Sequence, residues 1–452
     1  MFAGDNLLLL KKGEREMGHD RYDAVVVGAG PAGSAAAMSM AQNNLSVALI
    51  ERGEQPGSKN MFGGSLSRKP TAEAIPEFWK EAPLERAIVN EELWLMDKTS
   101  AVKVGFTGLE FNKSPYNKFS VIRSKFDPWF ADQAVKAGAQ LMTSTLVEEL
   151  VYEKTGLLNK KVAGVELDSG EIIHADVVLL AEGASAALTQ EAGLREEIKP
   201  SSLFLYVKEE LGLPAEKIES RFNLEPGEGA NIGMLGYPGS GIIGKGGIWT
   251  NQESISVVVG GYLNQIINKG VSPYQLLSRF KEHSLISRLL AGAEPIAYKA
   301  HTIPKGGYNE IPQLYGDGVL VAGDAAMMVT GRRGADLAIL TGLYAAEVIA
   351  QARAAQDYSA EILKGYEKRI MNSFFMENIK EHKDRKEYYQ NYSDSDFLLT
   401  KAANDAAYRF FKVGLQSKKD KMKTIRKDLF NMQPTDKLVS DLYHGLKNWG
   451  DF

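Results

Sequence analysis

YDAVVVGAGPAGSAAAMSMAQNNLSVALIER, residues 22–52, decides the fold. Its first part is an apolar run, Ala24–Val27, that reads as a buried strand. Gly28, Gly30 and Gly33 follow, interleaved with Pro31 and Ala32, and lead into a helix of small residues. A second apolar run, Val47–Ile50, ends at Glu51 and Arg52. This is the strand–turn–helix–strand unit that binds dinucleotides. One glycine makes the tight turn, one lets the backbone approach a pyrophosphate, and one lets the helix pack on the strand. The pyrophosphate then meets the positive end of the helix. Glu51 stands 23 residues after Gly28, where an acid accepts hydrogen bonds from the adenosine ribose.

A second motif sits near the other end. Residues 317–326, DGVLVAGDAA, form an apolar strand that ends in Gly323 and Asp324. A carboxylate at the end of a parallel strand can accept a hydrogen bond from a ribityl hydroxyl, a group that FAD has and NAD lacks. The plainer alternative is a strand capped by a turn aspartate. With a GxGxxG turn about 290 residues upstream, the pair resembles FAD proteins of the para-hydroxybenzoate hydroxylase type. The expected fold is α/β: a Rossmann-like FAD-binding domain of that type, an inserted antiparallel-sheet quinone or substrate domain, and a helical C-terminal region.

The composition narrows the chemistry. The 452 residues are 44% hydrophobic and 24% charged, ordinary for a globular protein. A net charge of −4 gives no reason to expect nucleic acid. There is no cysteine, and so no disulfide, no cysteine-held iron–sulfur cluster and no redox dithiol beside a flavin. Six histidines are scattered without metal-ligand spacing, and each is expected to be a satisfied or exposed side chain. No uninterrupted apolar run reaches the roughly 18–20 residues that span a bilayer. The opening MFAGDNLLLLKKGERE is too short in its apolar part for a secretory leader, so residues 1–21 read as an extension of a cytoplasmic protein.

Along the chain, residues 22–200 are expected to hold the first part of the FAD-binding domain. Residues 201–300 carry short β-like runs between glycine turns and read as the inserted sheet; 301–353 complete the FAD-binding domain. Residues 354–452 read as helical and charged. Asp168-Ser169-Gly170 predicts a hairpin turn. A helix is expected over about 126–137, with Asp127 as its N-cap and Pro128 at its first position. Ile242, Ile243, Ile248 and Trp249 could form an exposed apolar patch, or belong to a core. The basic run 418–427, KKDKMKTIRK, suits either a solvated face or an anionic surface.

With these pieces placed, the chain resembles the FixC family, relatives of electron-transfer flavoprotein–quinone oxidoreductase within the geranylgeranyl-reductase-like group. The stretches that carry the likeness are GAGPAGSAAA at 28–37, GSKNMFGG at 57–64, VIRSKFDPWFA at 121–131 and VKEELGLP at 207–214. GGIWTN at 246–251, IPKGG at 303–307, GDAAM at 323–327 and GADLAILTG at 334–342 complete the series. The resemblance implies electron transfer from a reduced two-subunit electron-transfer flavoprotein, through FAD, to a quinone at the membrane surface. It also implies a FixX-like ferredoxin subunit as a separate chain, since the cluster cysteines of fused mitochondrial relatives are missing here.

Implied contacts to FAD are the turn residues above, Glu51, Arg52, Gly63, Gly64, Arg123, Val147, Glu182, Gly183, Gly323, Asp324, Gly334, Ala335 and Asp336. Arg332 and Arg333 could add positive charge near the flavin or form a turn. The protein is expected to be peripheral on the inner face of the cell membrane. A prenyl double-bond reductase, an aromatic hydroxylase or halogenase, and an assembly subunit that merely retains FAD are the rival readings. The hydroxylase fingerprint is degraded here to Glu182-Gly183 with Ala186 and Thr189.

Overall fold

In the computed structural model, two sheets share one cavity. The structure describes residues 21–58, 64–155, 160–242, 244–330, 333–383, 395–432, 434–437, 439–440 and 443. The expectations for residues 1–20, Gly63, Ile243 and Arg332 lie outside them.

The first sheet has a parallel centre. Its strands run in the order Gln140–Met142, Val47–Ile50, Tyr22–Val27, Ile172–Leu180 and Val319–Val321, with Tyr315–Gly316 antiparallel at the far edge. Tyr22–Val27 is flanked by parallel neighbours and is buried along almost its whole length, as its unbroken apolar run demands. Val27 pairs with Ile50 on one side and Leu180 on the other, and Leu180 pairs with Val321. The carboxyl ends of four strands therefore stop at one level, where open α/β sheets bind ligands. The hairpin across Asp168–Gly170 forms as expected, with Gly170 at φ +78.

Two helices of small residues cross behind these ends. Pro31–Gln42 and Ala335–Ala355 approach so closely that a Cβ on Gly342 would lie 2.1 Å from the Ala32 carbonyl oxygen. Alanines along both helices make that approach possible, and those where the helices meet, such as Ala32, Ala35, Ala36, Ala338 and Ala345, are buried. Ala335–Ala355 is long and apolar enough to cross a bilayer, yet 67% of its most apolar stretch is buried in the protein.

The second sheet has nine strands. Their order is Glu294–Pro304, Leu203–Gly212, Ser254–Tyr262, Gly244–Thr250, Glu228–Gly236, Ala87–Met96, Lys118–Val121 and Gly64–Ser67, with Ala101–Thr107 paired to Ala87–Met96. Pairing is antiparallel except between Glu228–Gly236 and Ala87–Met96. The sheet thus takes four strands from residues 64–121, ahead of the stretch 201–300 in which it was expected. Short helices between 215 and 290 cover one face and bury Ile218, Phe222, Leu276, Leu277, Phe280 and Ile286 in a second core. Ile242 and Ile248 belong to that core, at 4% and 0% exposure, so they form no exposed patch. Gly244–Thr250 is a central strand, paired on both sides, which explains the burial of Ile248.

The elements described within residues 360–432 are all helices: Ala360–Met371, Phe374–Glu381, Ser395–Phe411 and Lys418–Met432. Asn404, on the helix Ser395–Phe411, ties it to the second sheet by donating to the Leu95 carbonyl at 2.9 Å. Replacing Gly342 with alanine should force the two small-residue helices apart and cost about 1–3 kcal/mol, the usual price of overpacking. Chemical denaturation of the purified variant measures this; an unchanged midpoint would mean that the helices separate freely.

Candidate functional site

The glycines of the first turn divide the tasks as their spacing suggests. Gly28 has φ +103, and a Cβ there would lie 2.4 Å from the Ala181 carbonyl oxygen, so only glycine fits. Its amide donates to the Ile50 carbonyl at 2.7 Å. A Cβ on Gly33 would fall 1.9 Å from the Gly28 carbonyl oxygen, which makes Gly33 a packing residue behind the turn. Gly30 differs: a Cβ there would meet only an Arg123 nitrogen, at 3.9 Å. The protein leaves room at Gly30, and a pyrophosphate can use it. Gly30 is also the N-cap residue of Pro31–Gln42, whose first amides have no partner within the helix.

Glu51 closes the turn from the second strand. Its Oε2 accepts from the Ala29 amide at 3.1 Å and its Oε1 from the Gly53 amide at 2.7 Å. Both oxygens keep lone pairs for ribose hydroxyls. These residues open onto a cavity of about 580 Å³, within the roughly 300–1,000 Å³ of small-molecule sites. Gly28, Gly30, Pro31, Ala32, Glu51, Arg52, Gly64, Arg123, Val147, Glu182, Gly183, Gly323, Asp324, Gly334 and Ala335 all line it. Gly33 and Asp336 do not.

Arg123 opens a helix that runs Arg123–Ala137, about one turn earlier than expected. Asp127 is therefore not an N-cap. It lies inside the helix, buried, and accepts from Arg123 Nε at 2.5 Å and Nη2 at 2.6 Å. Pro128 is likewise inside the helix. The bidentate pair fixes the guanidinium at the cavity wall, and Arg123 also acts electrostatically on Asp324.

Asp324 follows the strand Val319–Val321; its backbone carbonyl accepts from the Met327 amide at 3.0 Å, and the residue lines the cavity. Burial pushes its carboxyl above the usual range, and Arg123 and Lys305 pull it back. A ligand hydroxyl at this carboxylate would replace the water that burial removes.

Two expected contacts serve other purposes. Asp336, 3% exposed, holds Arg333 through a 2.7 Å ion pair one turn away, and the Arg333 guanidinium lies over the Phe374 ring. Glu182 borders the cavity, but its carboxylate accepts from the Leu188 and Thr189 amides and the Thr189 hydroxyl, capping the helix Ala187–Glu191.

The opposite wall comes from the second sheet: Tyr206, Asn231, Ile232, Met234, Gly246, Gly247, Trp249, Val258, His301, Ile303 and Lys305. Among these, Tyr206, Asn231 and His301 carried no signal of their own in the sequence. Asn231 and Trp249 are cross-strand partners, and Asn231 Oδ1 and Trp249 Nε1 are both buried with no hydrogen-bond partner among the described residues. His301 lies opposite Tyr206, and its pKa falls to about 4 through burial, with Arg123 and Arg52 adding to the shift.

The sign of the His301 shift fixes a pH effect. Below about 6.5 the unfolded chain takes up a proton that the folded imidazole refuses until about pH 4. Its contribution is present above pH 6.5 and is lost as the pH falls towards 4. His301→Gln should therefore flatten the decline in stability over that window relative to the parent protein, as read from denaturation midpoints. Parallel curves would contradict the buried, neutral imidazole.

Comparison with known proteins agrees with this architecture. Residues 22–198 match the pyridine nucleotide-disulphide oxidoreductase family, although a chain without cysteine has no dithiol, and residues 382–450 match the ETF-QO/FixC family C-terminal domain. The chain is 39% identical to Protein FixC of Bradyrhizobium diazoefficiens over 436 residues, covering 95% of this chain and 99% of that one. It is 38% identical to Protein FixC of Azotobacter vinelandii over 434 residues, 94% and 98% of the two chains. Among solved structures, a geranylgeranyl bacteriochlorophyll reductase-like protein of Thermoplasma acidophilum superposes with a TM-score of 0.67 at 21% identity, covering 91% of this chain and 99% of that one. The flavin-dependent brominase Bmp2 gives 0.61 at 19%, covering 86% and 92%. At these identities the two structures show a shared fold alone. The chain belongs to the FixC family and is an FAD-dependent oxidoreductase.

Proposed function

We propose that this protein takes electrons from a reduced two-subunit electron-transfer flavoprotein and passes them, through FAD, to a membrane quinone. The observation that carries the reading is the single cavity shared by the two sheets. One wall has the glycine turn, Glu51 and Asp324; the other is apolar and glycine-rich, with Ile232, Met234, Gly246, Gly247, Val258 and Ile303. A dinucleotide held by the first wall would leave its flavin end facing a chamber suited to a flat, weakly polar acceptor. Bound FAD would supply the two-electron store.

In this arrangement Gly28, Gly30, Pro31 and Ala32 hold the pyrophosphate, Glu51 the adenosine ribose, and Asp324 the ribityl chain. Arg52, Gly64, Val147 and Gly183 border the cofactor, and the helix starting at Gly334 and Ala335 points its positive end at it. Iron–sulfur chemistry would come from a separate FixX-like subunit, because the chain has no cysteine.

The membrane contact proposed is the tip between the last two long helices, Ser395–Phe411 and Lys418–Met432. Phe411, Val413 and Leu415 are 77%, 93% and 109% exposed. Lys412, Lys418, Lys419, Lys421 and Lys423 are close to them in the sequence. An apolar tip flanked by lysines in the sequence suits an anionic bilayer surface. It lies within the segment that matches the ETF-QO/FixC C-terminal domain.

Two measurements test the proposal. The flavin, reduced anaerobically with dithionite, should be reoxidised by a water-soluble ubiquinone analogue. Reoxidation by a geranylgeranyl substrate and not by the quinone would replace this reading with that of a prenyl reductase. Separately, changing Phe411, Val413 and Leu415 together to serine should weaken sedimentation with anionic phospholipid vesicles about tenfold or more, since burying each side chain contributes on the order of 1 kcal/mol or more. Unchanged sedimentation would remove the tip as the anchor.

A further inference from the structure

A second polar cluster lies beside the cavity, on the same face of the nine-stranded sheet. Side chains alternate along a strand, so Leu203–Gly212 puts Tyr206, Lys208 and Glu210 on one face. Tyr206 lines the cavity, its ring lying across the bare Gly260 of the next strand. Lys208 and Glu210 are 3% and 5% exposed, and their ions stand 3.2 Å apart. Val258, the cross-strand partner of Lys208, also lines the cavity.

Glu210 is held from three sides. Its carboxylate accepts from Asn251 Nδ2 at 2.6 Å, from Ser256 Oγ at 2.7 Å and from the Ser254 hydroxyl. A buried ion pair of this kind is not what a sheet interior needs, since apolar residues of similar volume are often as stable or more so.

The cluster also reaches the surface. Glu85 acts electrostatically on Lys208 and pairs at 2.7 Å with Lys125, whose side chain is 56% exposed. Across the sheet edge, Lys299 stands opposite Lys208, with its ammonium turned to the Ser58 carbonyl, and His301 stands opposite Tyr206. On this face Lys208 stands two residues from the cavity-lining Tyr206, and Glu85, paired with the exposed Lys125, bears on its charge.

We propose that Lys208, fixed by Glu210, relays protons from the surface by way of Glu85 to the Tyr206 hydroxyl, which protonates the acceptor reduced in the cavity. The inference rests on the quinone reading. Converting a quinone to its hydroquinone adds two electrons and two protons. Fully reduced anionic flavin supplies both electrons and one proton; the relay supplies the second. The phenolic O–H bond breaks as the new hydroquinone O–H bond forms, and Lys208 then restores the phenol. Burial lowers the Lys208 pKa, with Glu210 and Glu85 opposing, which eases release of its proton.

The test compares two acceptors on anaerobically reduced protein. Ferricyanide takes electrons without protons; a water-soluble benzoquinone needs both. Lys208→Met should slow reoxidation by the quinone about tenfold or more, within the range of general acid catalysis, and shift its pH profile, while ferricyanide reoxidation stays unchanged. Equal slowing with both acceptors, or no change with either, would overturn the relay. If Lys208→Met does not fold with FAD, Tyr206→Phe, which removes only a hydroxyl, decides by the same comparison. A parent protein that ferricyanide reoxidises and quinone does not would instead refute the quinone reading itself.

Discussion

The close approach of backbone to backbone around Gly28 is the constraint on which the rest of the structure depends. Three main-chain segments meet there without room for a side chain: the first turn, the end of Ile172–Leu180 at Ala181, and the helix start at Gly33. Because they meet, the strand ends align; because the strand ends align, Glu51, Arg123 and Asp324 reach one cavity from three separate parts of the chain. Gly342 repeats the device one layer out, bringing Ala335–Ala355 onto the Ala32 carbonyl. The cavity is a consequence of packing that only small residues allow.

Charge in the cavity is arranged by burial and by pairing. Arg123 is committed to Asp127 by two short bonds, so its orientation is set before any ligand arrives. Asp324 and His301 bear the opposite consequence of burial, the acid pushed up and the imidazole pushed down towards their neutral forms. Such a site favours a ligand that brings hydroxyls and a planar, weakly polar ring over one that brings further charge to the second wall.

Much of this was legible in the sequence, and the exceptions have physical causes. Val47–Ile50 and the turn at Gly170 were readable because each is fixed by local preference: an apolar run between polar residues, and a glycine with positive φ. Asp127-Pro128 misled because aspartate followed by proline is a strong local start signal. A tertiary need, the buried Arg123 pair, extends the helix backwards over it. Asp336 sits at the mouth of a helix aimed at the cavity, but an i,i+3 partner, Arg333, claims its carboxylate. The second wall was only partly legible, because Tyr206, Asn231 and His301 come together through strand registers that no local pattern encodes.

On the proposed reading, the cavity holds a flavin that exchanges electrons with protein partners and not with a nicotinamide. The visible spectrum of the purified protein, recorded anaerobically before and after adding NADH or NADPH, tests it most directly. The account predicts an oxidised flavin band that persists with either nicotinamide and bleaches when a reduced electron-transfer flavoprotein is added. Rapid bleaching by NADPH alone, or no flavin band even after FAD is supplied, would contradict it.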